Sequence, residues 1–298
     1  MFRAILGVRG RGFVLMLEPS DAGQERRNLA DVLRELRLAA GLSGERLAAK
    51  THMSQSKISR IETGKILPAV TDVDRVLRAL AVPPEQAEQL LRLASAANVD
   101  FMSRRQVRRI GIDHTQRTLR ALIEQATTVR YFLPASLPSF LQTESYIRSN
   151  LENPLKKTTA AQREMLVAVK LDRRKLVERN DTAFVLVLTE DAIRFPMVNP
   201  ALMVEQIDVL IEMSRLPSVR LGIIPAATQL QKSPLNTFVV YDERLVTMET
   251  FAGTIALRDP SHVEDHRELF EYFADHAVFE CEMRALLAEI AVEFREKS

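Results

Sequence analysis

The chain has 298 residues, a formal net charge of +2, 46% hydrophobic residues and 27% charged residues. This length is too great for one small core and suits two domains, with one large domain as the alternative, and the nearly balanced charge excludes a uniformly basic protein. The one cysteine, Cys281, excludes an internal disulfide framework and a multi-thiolate metal site, and it agrees with a reducing cytoplasm.

Residues 1–28 are predicted to form a disordered or weakly ordered leader. Arg9 and Arg11 split its apolar run into pieces too short for a signal peptide, and no small-residue cleavage site follows. Met16 is an alternative to Met1 as the translation start. No apolar stretch approaches the length of a membrane span, so we expect a cytoplasmic protein without membrane contacts.

Residues 29–97 are predicted to form five short helices. Apolar residues recur at helical spacing in each segment, and cap or breaker residues separate the segments. The separating residues are Gly41, Ser43, Ser54, Pro68 and Pro83. This pattern favours a small all-α domain.

The third predicted helix follows Ser54 and has a distinctive polar side. Ser54 is placed to cap the helix, and Ile58 and Ile61 supply an inward face. A short helix and a tight turn precede it, an arrangement that lets the second helix of the pair enter a major groove. The plainer alternative is a helical bundle with a solvated polar face. The outward residues are Gln55, Ser56, Ser59 and Arg60.

The stretch "LRELRLAAGLSGERLAAKTHMSQSKISRIETGK" resembles the helix-turn-helix domain of phage repressors, Cro proteins and xenobiotic-response-element-type regulators. The resemblance runs from about Leu29 to Leu80. It implies an N-terminal, all-α, five-helix, repressor-like domain that binds double-stranded DNA.

The resemblance also implies roles for single residues. Paired hydrogen bonds suit Gln to adenine and Arg to guanine, whereas phosphate contacts position the domain. The base-reading candidates are Gln55, Ser56 and Arg60. The phosphate candidates are Ser43, Lys57, Ser59 and Lys65. The pair Arg37 and Glu62 is implied to form an internal salt bridge. One departure is Gly44, where the family usually has a Gln that meets a phosphate.

Residues 98–130 are predicted to be a basic, largely helical linker. Residues 102–130 carry seven arginines against two acidic residues, whereas residues 261–298 carry ten acidic residues against four basic ones. The arginines would add phosphate contacts beside DNA; alternatively, they form a solvated face or bind the acidic C-terminal helices.

Residues 131–298 are predicted to form a mixed α/β domain, since short strands alternate with helices and two helices close the chain. Such a layout can hold a small-molecule pocket. The predicted strands are 183–188, 219–224, 236–241, 245–250 and 254–257, and the predicted helices are 158–179, 200–215, 260–275 and 279–296.

The segment "SLPSFLQTESY" resembles the opening motif of a C-terminal domain of unknown function found behind repressor-type domains in many actinobacterial regulators. Later landmarks follow in order, among them "DRRKLVERN", "LVLTEDAIR" and "TFVVYDERLVTMETF". Three departures are Ser139 in place of the motif Gly, Arg174 in place of a Gln, and the turn "ATQLQKSPLN".

No catalytic residue, metal site or cofactor is predicted, and we expect a protein that is not an enzyme. "HVEDH" lacks the zincin spacing and is better read as an acidic helix face. Cys281 is expected to be a packed small residue. Glu190 and Glu249 end strands, where a glutamate is usually a structural acceptor or faces solvent.

These patterns together predict a DNA-binding transcriptional regulator whose C-terminal domain senses a small ligand or a protein partner. A homodimer is expected, because one recognition helix contacts too few base pairs for high specificity. The alternative is an antitoxin-like protein that neutralises a small companion protein and autoregulates its operon.

Overall fold

The computed structural model describes residues 22–103, 119–152 and 159–297. The chain divides into two compact units, Met1–Ala97 and Asn98–Ser298. Most of the predicted leader and the centre of the arginine-rich linker lie outside the described residues.

The N-terminal unit contains five helices, which confirms the predicted all-α fold. They are α1 (Ala22–Ala39), α2 (Gly44–Thr51), α3 (Gln55–Glu62), α4 (Val70–Ala79) and α5 (Pro84–Ala97). The first helix begins earlier than the predicted domain start at residue 29. Residues 22–28 are rich in Gln, Glu, Arg and Ala, which favour helix, so they extend α1 into the predicted leader.

Apolar side chains from all five helices form the core of this unit. Leu29 and Leu33 from α1, Leu47 from α2, Ile58 from α3 and Val73 from α4 are each at most 2% exposed. Their spacing of three and four residues puts them on one face of each helix, as the periodicity predicted.

The C-terminal unit contains an eight-stranded mixed sheet, ordered β1-β7-β6-β5-β2-β3-β4-β8. Strands β2, β3 and β4 are parallel, and the other pairs are antiparallel. The strands are β1 (Val99–Ser103), β2 (Thr128–Leu133), β3 (Ala183–Thr189), β4 (Val219–Ile224), β5 (Phe238–Tyr241), β6 (Leu245–Glu249), β7 (Gly253–Leu257) and β8 (Val278–Phe279). The predicted mixed α/β fold is confirmed.

Strand β1 departs from the predicted helical linker. Val99 lies opposite Leu257 and Ser103 opposite Gly253, so these five residues complete one edge of the sheet. Their partner strand follows some 150 residues later, and pairing with it outweighs the local helical pattern on which the prediction depended. Residues 119–124 are helical, in agreement with the prediction.

Helices cover both faces of this sheet. The two cores contain alternate residues of the same strands: Tyr131 and Val239 point into one, and Phe132 and Val240 point into the other. Helix α10 covers the second face. The helices of this unit are α6 (Glu144–Leu151), α7 (Ala160–Glu178), α8 (Asp191–Arg194), α9 (Pro200–Met213), α10 (Pro260–Asp275) and α11 (Glu280–Arg295), with a 3-10 turn at Ser139–Leu141.

Strand β8 reaches the sheet through a close contact at Gly222. A Cβ atom at this position would lie only 2.5 Å from the ring of Phe279, so the glycine lets the aromatic side chain cross β4. The guanidinium of Arg220 lies 4.4 Å from the centre of the same ring. This short strand was not predicted, since two residues give no periodic signal.

Candidate nucleic-acid interface

Helix α3 is fixed at its start and along its inner face. The Ser54 hydroxyl accepts a hydrogen bond from the backbone N–H of Lys57 at 3.1 Å, which caps the helix. Ile58 and Ile61 are each 2% exposed in the core. The opposite side of the helix is therefore left to solvent. Its exposed residues are Gln55, Ser56, Ser59 and Arg60.

Helix α2 starts beside the first turn of α3. Its cap, Ser43, accepts a hydrogen bond from the N–H of Arg46 at 3.2 Å. A Cβ atom on Gly44 would lie 3.9 Å from Nε2 of Gln55, which is ordinary van der Waals contact. A side chain at Gly44 would therefore fit, and it would stand next to a predicted base-reading residue.

The first and third helices are joined by a two-pronged ion pair. Nε and Nη2 of Arg37 each donate to a different carboxylate oxygen of Glu62, both at 2.7 Å, and Nη1 donates to the carbonyl of Leu42 at 2.8 Å. The two side chains are 12% and 10% exposed. The hydrogen bonds that Arg37 donates to Glu62 raise the pKa of Arg37 above its ordinary value. This is the internal pair that the resemblance implied, and it holds the end of α3 against α1.

Lys57 has a partner that the sequence did not indicate. Its ammonium lies 2.8 Å from the carboxylate of Asp72 on α4, and that carboxylate is 8% exposed. The Lys57 side chain is 41% exposed, so its ammonium stays accessible beside this anion. The pair ties α3 to α4, and the phosphate contact of Lys57 stays a prediction.

Two other phosphate candidates lie on the surface at the end of α3. Ser59 and Lys65 are exposed, and the backbone N–H of Lys65 donates to the carbonyl of Arg60 at 2.9 Å. The bond closes the turn after α3 and fixes where the Lys65 side chain leaves the backbone. Ser43, Ser59 and Lys65 keep accessible polar groups.

A second basic region lies between α2 and α4. It is an open cleft of about 550 Å³. Its lining residues are Lys50, Thr51, His52, Arg75, Arg78 and Ala79. Arg78 is paired with Asp74 at 2.9 Å. The sequence analysis did not single out this cleft, although the spacing of Arg75 and Arg78 by three residues places both on one face of α4.

Changing Gly44 to Gln is expected to tighten binding to DNA about fivefold. The added amide would supply a hydrogen bond to a phosphate, worth about 1 kcal/mol after the cost of ordering the side chain. Gly44→Ala is the matched control, because it adds a Cβ and helix propensity without an amide. Fluorescence anisotropy on one duplex measures both. Equal Kd values for the Gln and Ala variants would contradict the phosphate contact.

In the C-terminal unit, the motif "SLPSFLQTESY" is held by buried amides. Gln206, which is 0% exposed, accepts from the N–H of Thr143 at 2.8 Å and donates to the carbonyl of Leu141 at 2.7 Å. Gln142 donates to the carbonyl of Leu137 at 2.9 Å, and the hydroxyl of Thr143 caps α6. The Gln-Thr pair of this motif thus has a structural role, since it satisfies a buried turn.

Two family models match this chain. A helix-turn-helix domain matches residues 28–90, and the domain of unknown function DUF5753 matches residues 116–289, which is more than half of the chain. The chain belongs to the DUF5753 family. Its N-terminal domain is a helix-turn-helix domain, and the protein is a DNA-binding regulator.

Other comparisons add little to this assignment. A solved structure, that of TrmBL2, an archaeal chromatin protein with a novel mode of DNA binding, is 13% identical to this chain. The match covers 85% of this chain and 99% of that one, with a TM-score of 0.32, which is too low to compare folds. A comparison with curated proteins gave no match.

In the DUF5753 domain, Glu190 is fully engaged at the end of β3. Its carboxylate, 8% exposed, accepts from the backbone N–H of Ala226 at 2.7 Å and also pairs with Arg194, which contacts Glu293 at 2.5 Å. These bonds connect the ends of β3 and β4 to α11. Glu190 is therefore a structural hydrogen-bond acceptor, which is one of the two roles expected for a glutamate at the end of a strand.

The histidine pair and the cysteine noted in the sequence have different surroundings. Nδ1 of His266 contacts the carbonyl of His262 at 2.7 Å. Cys281 is exposed, contrary to the expected packing, because the helical period turns Met283 inward instead. Within the described residues, no three His, Cys, Asp or Glu side chains are grouped to hold a metal, and no helix is long and apolar enough to cross a membrane.

Proposed function

We propose that this member of the DUF5753 family is a cytoplasmic, sequence-specific, repressor-like regulator of transcription that reads DNA with α3. The observation that carries the proposal is the arrangement of α3, in which Ile58 and Ile61 are buried while Gln55, Ser56 and Arg60 are exposed on the opposite side. A helix held in this way can enter the major groove without exposing its core.

The exposed groups of α3 match the chemistry of base edges. The amide of Gln55 suits adenine through N6 and N7, and the guanidinium of Arg60 suits guanine through O6 and N7. Ser56 is small enough to hydrogen bond to either base or to let α3 approach closely. These three side chains are the proposed source of sequence preference.

The proposed phosphate contacts are Ser43, Lys57, Ser59 and Lys65. Lys57 also ties α3 to α4 through its ion pair with Asp72. Selection of a binding motif from random duplexes tests the proposal as a whole; duplexes recovered without a common sequence would argue against base reading.

Changing Lys65 to Ala is expected to weaken binding on every duplex and to flatten its salt dependence. Loss of one phosphate contact lowers the slope of log K against log[salt] by about 0.9. Titrations at several salt concentrations on operator and unrelated DNA measure this slope. The control is Lys232→Ala, which removes an exposed lysine from the DUF5753 domain and should leave the slope unchanged. A loss confined to the operator would contradict the phosphate role.

We also propose that the regulator acts as a homodimer. One α3 contacts only a few base pairs, and two copies related by a two-fold axis would read half-sites about one helical turn apart. Sedimentation of the protein on a duplex with one or two half-sites distinguishes one bound copy from two. Binding of a single copy to the complete operator would argue against the dimer.

The DUF5753 domain is proposed to sense a small ligand or a protein partner, without an enzymatic step. An antitoxin-like role toward a small companion protein is the second candidate, favoured by two exposed apolar side chains. Leu235 is 85% exposed and Phe251 is 97% exposed. Both lie at the same end of the β5–β6 pair, where the N–H of Glu249 donates a hydrogen bond to the carbonyl of Thr237. Co-purification of a small protein that is lost on Phe251→Ser, with unchanged affinity for DNA, would favour this candidate.

A further inference from the structure

Two cationic side chains of α7 lie against the opening motif of the DUF5753 domain. Nη1 of Arg173 donates to the hydroxyl of Ser139 at 2.9 Å, and Nζ of Lys170 donates to Oε1 of Gln142 at 3.3 Å. Both cations are half-buried. Ser139 stands where the motif has Gly, and a glycine would offer Arg173 no side-chain acceptor.

The sheet brings tyrosine and threonine hydroxyls to the same place. Val239 lies opposite both Tyr131 on β2 and Thr247 on β6, so these residues share one face of the sheet. Tyr241, two residues further along β5, points to this face as well. The two tyrosines are 8% and 2% exposed, whereas Thr247 is half-exposed. The group therefore runs from the core to the surface.

These side chains form a connected polar group, which we name the Arg173 cluster. Its members are Tyr131, Arg173, Tyr241, Thr247 and Glu249. Glu249 follows Thr247 by two residues on β6, so its side chain lies on the face that holds Tyr131 and Tyr241. Arg173 interacts electrostatically with Glu249 and with the two tyrosines.

The protonation of the Arg173 cluster follows from its burial. Burial raises the pKa of Tyr241 to about 12 and the pKa of Tyr131 well above its ordinary value, so both hydroxyls are neutral at pH 7. Burial lowers the pKa of Arg173, but a guanidinium keeps its charge in proteins. The cluster thus presents a cation and an exposed carboxylate, Glu249, around neutral hydroxyl groups.

We propose that the Arg173 cluster binds a small zwitterion of the α-amino acid type. Arg173 would receive the ligand carboxylate, Glu249 would receive its ammonium group, and the hydroxyls of Tyr241 and Thr247 would complete the hydrogen bonds. A simple anion would be repelled by Glu249 and a simple amine by Arg173, so a ligand that carries both charges fits best. The inference rests on the proposed ligand-sensing role of the DUF5753 domain.

The positions of these residues in the sequence support the proposed binding site. Ser139, Arg173 and Glu249 come from three segments far apart in sequence, and each segment carries a landmark of the resemblance noted above. The fold brings the three landmarks to one side of the sheet. Stability alone does not require a guanidinium here, since an apolar residue of similar volume fills a half-buried position at no cost in desolvation.

Calorimetric titration of the full chain with each of the twenty L-amino acids tests the proposal. At least one should bind with a Kd of about 1 mM or lower, which corresponds to about 4 kcal/mol. For the tightest of them, the carboxamide and the N-acetyl derivative should each bind at least about tenfold more weakly, because each lacks one charge. Absence of binding, or equal binding of the amino acid and either derivative, would overturn the proposal.

Variants assign the binding to the Arg173 cluster. Arg173→Met and Glu249→Gln should each weaken binding by about tenfold or more. Glu249 is exposed, so its variant tests the site even if Arg173→Met fails to fold. Lys175→Met, an exposed change on the same helix, is the control. Unchanged affinity in Glu249→Gln would contradict the assignment. A separate measurement of DNA affinity distinguishes failure of the proposed regulatory function from failure of the proposed amino-acid site. If the chain binds its operator but no amino acid, the regulatory function stands and the amino-acid site is rejected.

Discussion

A Gln55→Ala/Arg60→Ala variant is expected to bind its operator about 30-fold to 10⁴-fold more weakly than the unchanged protein. Each paired hydrogen bond to a base is worth about 1–3 kcal/mol, and contacts to separate base pairs add roughly. Affinity for unrelated duplexes should fall much less, because phosphate contacts supply most of that binding. Competition binding with operator and unrelated DNA measures the difference.

The control for this variant is Arg75→Ala, which removes an exposed arginine from α4 and leaves α3 intact. It should change operator and unrelated binding by the same small factor. An equal loss on all sequences in the Gln55→Ala/Arg60→Ala variant would mean that these side chains position the domain but do not read bases.

Glu62→Ala is expected to destabilise the N-terminal domain by about 3 kcal/mol. The change leaves the guanidinium of Arg37, which is 12% exposed, without its anion, and an uncompensated charge inside a protein is costly. We expect this loss of unfolding free energy to lie near the lower end of the range for broken buried ion pairs, because some solvent reaches the Arg37–Glu62 pair. Denaturant unfolding followed by circular dichroism measures the loss.

The matched variant replaces both members of the pair by apolar residues. Arg37→Met/Glu62→Leu removes the two charges together, so it should be much less destabilised than Glu62→Ala. If both variants lose the same free energy of unfolding, the cost would come from lost packing and not from an unpaired charge.

Much of the fold followed from local patterns in the sequence. Alternation and helical spacing predicted β3 to β7 and α9 to α11 to within two or three residues, because each segment alone carries its signal. The cap at Ser54 and the inward positions of Ile58 and Ile61 were likewise visible in the chain. These features depend on neighbours within a few residues.

Features that depend on distant partners were missed. Strand β1 pairs with a strand some 150 residues later, and the Lys57–Asp72 pair joins two helices across a turn. The Arg173 cluster draws on four segments, so no local motif contains it. Cys281 was predicted to be packed because its neighbours are apolar. In α11, which begins at Glu280, Met283 lies on the buried face of the helix and Cys281 lies on the exposed face.

Selection of duplexes from a random-sequence library by the full chain tests the central claim most directly. The proposed function predicts enrichment of one motif with two inverted half-sites about one helical turn apart, and loss of that enrichment in the Gln55→Ala/Arg60→Ala variant. A pool without a common motif, or the same motif recovered by the variant, would contradict sequence reading by α3.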